Sequence, residues 1–359
     1  MTNLLAPGPV PVLEEISKAQ NKEMITHRSE DFTVLYRDLV TRLKGYFNSQ
    51  EAYVITGSGA LGLETIILNL CTKNDKVVCF PNGEFGDHLV TTVNVYSNAI
   101  VHRGDDGHGW NLERTKPHID AALSNGAKFL AMVYNETSMG VKNDIKDICK
   151  YAKSKGMTVI IDGISAWPGT PLDMKEFHID GFVTGSQKGI AAPPGMALIG
   201  LSSDAVAIYT KRESIPSYYC DLRRHKKRYE KDQQTPNTPA ISLFWALQKA
   251  FDILDQNGGL ANAVKRHNEA AIHTRLRLAK LGFGTIAEVG FESNTVTGFV
   301  AKSEEQAKLI KSTLSKQYNI KIVGSRGKFE KNGLRIAHMG NFQMQNLDAA
   351  LDAIEKIIK

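Results

Sequence analysis

Over the first two hundred positions of this 359-residue chain, short apolar runs rich in β-branched residues recur between amphipathic stretches. The runs are Tyr53–Thr56, Lys76–Phe80, Ala99–His102, Phe129–Tyr134, Thr158–Asp162, Gly181–Thr184 and Met196–Leu201. Several lack the polar alternation of a strand with one wet face, so they fit strands buried on both faces. Between them, Ile145, Ile148, Cys149 and Ala152 fall on one helical face, and Leu61, Thr65 and Leu68 on another. The alternation predicts an α/β fold with a mostly parallel sheet between helix layers.

The pattern changes later. An apolar helix over Ile241–Leu254 runs into Gly258-Gly259, a candidate boundary, and a long helix is expected from about Leu260 to Leu281. Ser303-Glu304-Glu305-Gln306 fits a capping box ahead of a helix whose inner face carries Ala307, Ile310 and Leu314. The tail reads as βαβ-like and closes on a helix with Leu347, Leu351, Ile354 and Ile358 along its inner stripe. A chain of this length is expected to form one large and one smaller domain around a cleft.

Hydrophobic residues make up 42% and charged residues 23%, the balance of a soluble globular protein. The net charge is +6, with the basic residues mostly interleaved with acidic ones. The densest run, Arg223-Arg224-His225-Lys226-Lys227-Arg228, is followed by Glu230 and Asp232. It reads as a solvated helix face, so no nucleic-acid partner is expected. The four cysteines, Cys71, Cys79, Cys149 and Cys220, form no CxxC pair and show no metal-ligand spacing. They read as buried thiols in a reducing compartment. No secretory signal and no membrane-spanning run is seen, so the expected location is cytoplasmic.

Three segments carry chemistry. Thr158-Val159-Ile160-Ile161-Asp162-Gly163 ends a buried strand in a carboxylate, at the strand tip where open α/β sheets bind ligands. A turn or helix-cap aspartate is the plainer reading of such a residue taken alone. Thr184-Gly185-Ser186-Gln187-Lys188-Gly189, followed by Pro193-Pro194-Gly195, is too rich in Gly and Pro for a regular helix and presents one lysine between two strands. A lysine is ordinarily a solvated surface residue, but in a closed, desolvated loop its pKa falls and it becomes an amine nucleophile for a carbonyl. Thr56-Gly57-Ser58-Gly59-Ala60-Leu61-Gly62 is a Gly-rich turn from strand to helix, where free N–H groups and the Ser58 hydroxyl make an anion cradle. Many such turns are Gly-rich for packing alone. A phosphate cradle, a carboxylate and a nucleophilic lysine at strand tips together match what pyridoxal 5′-phosphate requires.

These motifs resemble the class V aminotransferases of the pyridoxal-phosphate fold type I, on their alanine–glyoxylate/serine–pyruvate branch. The likeness runs through Leu5-Ala6-Pro7-Gly8-Pro9-Val10-Pro11, His27-Arg28-Ser29, Asn82-Gly83-Glu84-Phe85-Gly86 and Glu136-Thr137-Ser138-Met139-Gly140. It continues through Ile161-Asp162, Gly185-Ser186-Gln187-Lys188, Ala192-Pro193-Pro194-Gly195, Thr235-Pro236-Asn237-Thr238-Pro239 and Gly333-Leu334-Arg335-Ile336. The resemblance implies a large cofactor-binding domain over residues 16–257 and a small α+β domain from residues 1–15 and 258–359. It implies that Lys188 is the Schiff-base lysine, with Gln187 lining the cofactor beside it. Asp162 would pair with the pyridine nitrogen, and Ser58, Gly59 and Ala60 would hold the phosphate. Phe85 would stack on the ring and Thr137 would lie near it. Thr238 would reach the phosphate of a neighbouring subunit, which implies a homodimer with shared active sites. Arg335 would grip the substrate α-carboxylate, and Gly8 would sit in the substrate site. The chain departs from its relatives at His88, often arginine, at Ala60, where some carry histidine, and at Trp167, in a stretch of commonly small residues.

The activity so implied is a transamination from a small L-amino acid, alanine or serine, to glyoxylate or pyruvate. Two other enzymes are weighed against it. An aspartate aminotransferase would want a second cation for the side-chain carboxylate, with Arg28 and Arg326 as candidates. A lyase such as a cysteine desulfurase would want a cysteine in a C-terminal loop, and none lies beyond Cys220. A non-enzymatic protein on the same fold would be signalled by loss of Lys188, Asp162 or Arg335, and all three are present.

Overall fold

The computed structural model describes residues 2–359. Its central sheet has seven strands: β1 (Glu51–Thr56), β2 (Lys76–Cys79), β3 (Asn98–Val101), β4 (Phe129–Val133), β5 (Thr158–Asp162), β6 (Gly181–Gly185) and β7 (Met196–Leu201). Their order across the sheet is β1-β7-β6-β5-β4-β2-β3. Strand β7 is antiparallel to both neighbours and the remaining pairings are parallel. The carboxyl ends of β1, β4, β5 and β6 therefore share one edge. The expected runs over-reach at Phe80, His102 and Tyr134, which fall just past their strands. The chain stays buried as it leaves the ladder at Phe80 and Tyr134, so apolar character there does not mark the strand end.

Two apolar layers cover the sheet, and the two-residue period of a strand sorts side chains between them. Val159 and Ile161 pack with the helices Glu30–Phe47, Leu112–Ser124, Ile145–Ser154 and Ile241–Gln256. Ile160, Ala131 and Val133 pack on the other side, with the helices Gly59–Leu70, Glu84–Tyr96 and Ser203–Thr210. Two residues beyond Ile160, Asp162 emerges on that same side. The Gly59–Leu70 helix lies very close to the sheet there, because a Cβ on Gly62 would stand 2.6 Å from Val183 Cγ2 and 2.8 Å from Ala197 Cβ.

A second, four-stranded sheet is built from Gly284–Thr285, Val296–Val300, Gly333–Ala337 and Val323–Gly324, in that order. The helices Gly259–Lys280, Glu304–Gln317 and Met344–Ile358 bury their apolar faces against it. The βαβ expectation for this tail needs correction, since all three pairings in the sheet are antiparallel. After the Glu304–Gln317 helix the chain makes its parallel pairing elsewhere, between Ile320–Lys321 and Asn3–Leu4 of the N-terminal segment. Ser303 caps the helix by accepting from Gln306 N–H, but Gln306 Oε1 reaches back to Lys302 N–H and not to Ser303, so the box is closed one residue early. The basic run forms the Leu222–Asp232 helix, with Arg223 paired to Asp221, Lys226 to Glu51 and Glu230, and Arg228 to Asp232. Among the described residues, no helix is long and apolar enough to cross a membrane.

Candidate active site

The shared carboxyl edge of β1, β4, β5 and β6 opens into a cavity of about 230 Å³. Ser58, Gly59, Ala60, Phe85, Thr137, Asp162, Gln187 and Lys188 all line it. Of the residues singled out in the sequence, Gly8, Thr238 and Arg335 do not.

One end of the cavity is formed by a helix N-terminus. Ser58 occupies the N-cap of the Gly59–Leu70 helix with extended backbone (φ −77°, ψ 170°), yet its side chain makes no capping bond. The first-turn N–H groups thus keep their unpaired protons, no acidic residue stands in that turn, and the Ser58 hydroxyl stays available. Across the cavity, His88 and Thr92 lie one turn apart on the Glu84–Tyr96 helix, and His88 meets the Phe85 ring edge-on at 5.6 Å. Neither is among the site residues that the sequence motifs predict, although His88 is a departure from the family pattern. Their spacing of four along a helix was the available signal.

At the other end stand the carboxylate and the amine. Asp162 Oδ1 accepts from Ile164 N–H at 2.8 Å. Burial pushes the Asp162 carboxyl up to about 6, with Glu136 adding to the rise, while the Ile164 bond and the Lys188 charge hold it back. Among the described residues it has no ion-pair partner within 4.0 Å, so it is a buried carboxylate that a bound cation would satisfy. Lys188 is shifted the other way. Burial brings its amine down to about 8, Asp162 opposes the shift and Arg335 reinforces it. A lysine near 8 keeps roughly half its amine neutral at that pH, the form that attacks a carbonyl.

The N-terminal segment closes over this amine. Lys188 Nζ donates to Pro7 O at 2.5 Å, and Val10 N–H donates to Gln187 O at 3.1 Å. Gly8 sits directly above, with φ +110°, and a Cβ there would come within 2.6–2.8 Å of Lys188 Cδ, Cε and Nζ. Only glycine permits both the left-handed backbone and the approach.

Arg335 approaches from the second sheet. Its Nη1 donates to Thr137 O at 2.7 Å, and Nε and Nη2 donate to Gly324 O at 2.9 and 2.7 Å. Burial lowers it to about 10, with the Arg326 charge adding to the effect. Thr137 is held in turn by a buried carboxylate that sequence reading had not singled out. Glu136 accepts from Gly86 N–H at 2.9 Å, Phe85 N–H at 3.4 Å, Ser138 N–H at 3.1 Å and the Ser138 hydroxyl at 2.5 Å. One side chain thereby ties the start of the Phe85 helix to the turn that carries Thr137. Also missed were Asn135, Ile164 and Ser165, which complete the cavity wall. Polar residues just past a strand tip are the pattern that could have flagged Asn135 and Ser165.

Other candidates lie elsewhere. Thr238 is exposed, its hydroxyl 3.5 Å from His27 Nε2. Arg28 is spent on backbone, donating to Thr235 O at 2.7 Å and Pro236 O at 3.3 Å. Arg326 pairs with Glu84, Nε to Oε2 at 3.2 Å. Trp167 is core, packed edge-on against Phe47 at 5.2 Å.

Residues 10–329 match the family model for class-V aminotransferases. The chain belongs to that family. It is 33% identical to an uncharacterised aminotransferase of Methanocaldococcus jannaschii over 99% of this chain and 92% of the relative. It is 27% identical to a serine–glyoxylate aminotransferase of Arabidopsis thaliana, over 99% and 90% of the two chains. Its fold superposes on a Nostoc alanine–glyoxylate aminotransferase with a TM-score of 0.94 at 23% identity, covering 100% of this chain and 95% of the other. Class-V aminotransferases are pyridoxal-phosphate enzymes, and the cavity suits that cofactor in three respects. It offers unpaired N–H donors for a phosphate, an unpaired buried carboxylate for a ring cation, and a lysine with a lowered pKa for the aldehyde.

Proposed function

We propose that this aminotransferase moves the amino group of L-alanine or L-serine to glyoxylate or pyruvate, with Lys188 as the amine that holds the cofactor. The observation that carries the reading is the pairing of a lysine lowered to about 8 with a carboxyl raised to about 6 in one cavity. Bound pyridoxal phosphate supplies an electron sink for the charge left when a proton leaves the substrate α-carbon. In this reading Ser58, Gly59 and Ala60 would hold the phosphate, and Phe85 would stack on the ring. Asp162 would pair with the ring nitrogen and keep it protonated. Arg335 orients the substrate carboxylate with a planar fork already fixed by Thr137 O and Gly324 O. Lys188 Nζ then takes up the α-proton and returns it, acting in turn as base and acid. The N-terminal segment over Gly8 shields that amine from water.

We further propose that the working enzyme is a homodimer, because Thr238 is exposed in one subunit and lies outside the cavity that holds Lys188. Small monocarboxylate donors suit the site better than aspartate. Arg326 already has Glu84 as its carboxylate.

Glycine formation from glyoxylate, measured with each donor in turn, tests the proposal. Alanine or serine is expected to give turnover, with aspartate at least about ten-fold poorer in kcat/KM, and Lys188→Ala is expected to be inactive. Turnover by Lys188→Ala at a rate near wild type would overturn the role of Lys188, and a preference for aspartate would overturn the substrate assignment.

A further inference from the structure

Ser138 tethers two charged residues beside Arg335. Its hydroxyl accepts from Glu84 N–H at 3.3 Å, and its carbonyl accepts from the Ser325 hydroxyl at 2.7 Å. Ser325 sits between Arg326 and Gly324, whose carbonyl holds Arg335 Nε and Nη2. Thr137, whose carbonyl holds Arg335 Nη1, directly precedes Ser138. Glu84 and Arg326 are thus anchored close to both carbonyls that fix the Arg335 fork. They meet each other as an ion pair, Arg326 Nε to Glu84 Oε2 at 3.2 Å. Their charges reach Arg335: after burial, Arg326 is the next cause of its lowered pKa, and Glu84 opposes the shift.

The pair is open to an incoming ligand. The side chains of Arg326 and Glu84 are 53% and 38% exposed, and neither has another ion-pair partner within 4.0 Å among the described residues. An ion pair this exposed adds little to the stability of the fold, so its weight lies in the charge it presents. A guanidinium offers a planar fork to a carboxylate, and the carboxylate on Arg326 comes from the protein itself. Neighbouring cations are occupied too. Arg103 is held by Asp87 and Asp106, and Lys328 Nζ lies over the Phe329 ring at 5.1 Å. A second substrate carboxylate arriving next to Arg335 must either displace Glu84 from Arg326 or lie beside its negative charge. The methyl or hydroxymethyl group of alanine or serine meets neither obstacle.

We propose that Glu84 is a specificity-determining residue, whose carboxylate occupies Arg326 beside the Arg335 fork, denies the site a second cation and so excludes dicarboxylic amino and keto acids. The inference rests on the reading of Arg335 as the group that binds the substrate α-carboxylate. Glu84 acts as a repulsive element, selecting small donors by rejecting their acidic competitors.

The test compares the full-length, cofactor-loaded wild type with Glu84→Gln and Glu84→Ala. The ratio of kcat/KM for L-aspartate to that for L-alanine, with glyoxylate as acceptor, is expected to rise about ten-fold in both variants. Calorimetric titration gives a second readout that needs no turnover. The dissociation constant of succinate, an unreactive dicarboxylate, is expected to fall by a similar factor while that of propionate stays constant. Adding Arg326→Ala to Glu84→Gln is expected to cancel both gains. An alanine-preferring wild type whose ratio is unchanged in both variants would overturn the role of Glu84 alone. A gain that survives Arg326→Ala would also overturn it, since the second carboxylate would then bind elsewhere. A wild type that already prefers aspartate would overturn the substrate assignment and this proposal with it.

Discussion

Asp162 and Lys188 are both held away from their ordinary ionisation, in opposite directions and by the same cause, burial. For Asp162 this has a consequence for the cofactor-free protein. Its folded-state carboxyl sits near 6, above the ordinary carboxylate value, so the folded chain binds the extra proton between about pH 4 and pH 6. Stability therefore falls as pH rises through that window and stays reduced above it, by up to about 3 kcal/mol. Asp162→Asn removes the ionisation and keeps an oxygen for Ile164 N–H. The cofactor-free variant is expected to be about 1–3 kcal/mol more stable than wild type at pH 7 and no more stable at pH 4, read by thermal or urea unfolding. It is also expected to lose most of the stabilisation that added pyridoxal phosphate gives the wild type. A variant less stable at pH 7, with cofactor affinity unchanged, would contradict the role given to this carboxyl.

At the scale of elements, the site depends on how closely the Gly59–Leu70 helix lies on the sheet. Gly62→Val would drive a methyl-bearing carbon into Val183 and Ala197, both short side chains packed against β-sheet backbone. The expected loss is about 1–3 kcal/mol of unfolding free energy, with weaker cofactor binding because the displaced helix carries the proposed phosphate donors. Stability equal to wild type would show that the helix can lift without cost. Elements of this kind were legible to different degrees. The buried strands announced themselves by unbroken apolar runs, and Asp162 and Lys188 stood out because a charge at the end of such a run needs a reason. The Glu30–Phe47 helix went unnamed although Ser29 caps it through Phe32 N–H and Leu35, Leu39 and Leu43 recur along one buried stripe. Asn135, Ser165 and Glu136 were not legible as site residues from spacing alone. Their importance comes from which hydrogen-bond partners the fold brings up from 28 to 160 residues away, as Thr295 is brought to Asn135.

Across the whole molecule, the candidate site draws on segments beyond the first sheet. The N-terminal segment pairs with Ile320–Lys321 beside the second sheet, passes Leu5 O to Ala337 N–H, and then covers Lys188 through Pro7 and Gly8. Arg335 reaches from the second sheet to Thr137 O beside the first. The sequence did not reveal this, because the parallel partner of Ile320–Lys321 comes from the opposite end of the chain. The central claim is that this assembled cavity performs transamination through Lys188. Its most direct test is the absorption spectrum of the purified protein loaded with pyridoxal phosphate, recorded before and after L-alanine or L-serine and again after glyoxylate or pyruvate. The expected result is a lysine-bound cofactor band that converts to the pyridoxamine band with the amino donor and returns with the keto acid. A protein that binds the cofactor without forming the lysine-bound band would contradict the assignment of Lys188, and a band that none of these donors converts would contradict the reaction.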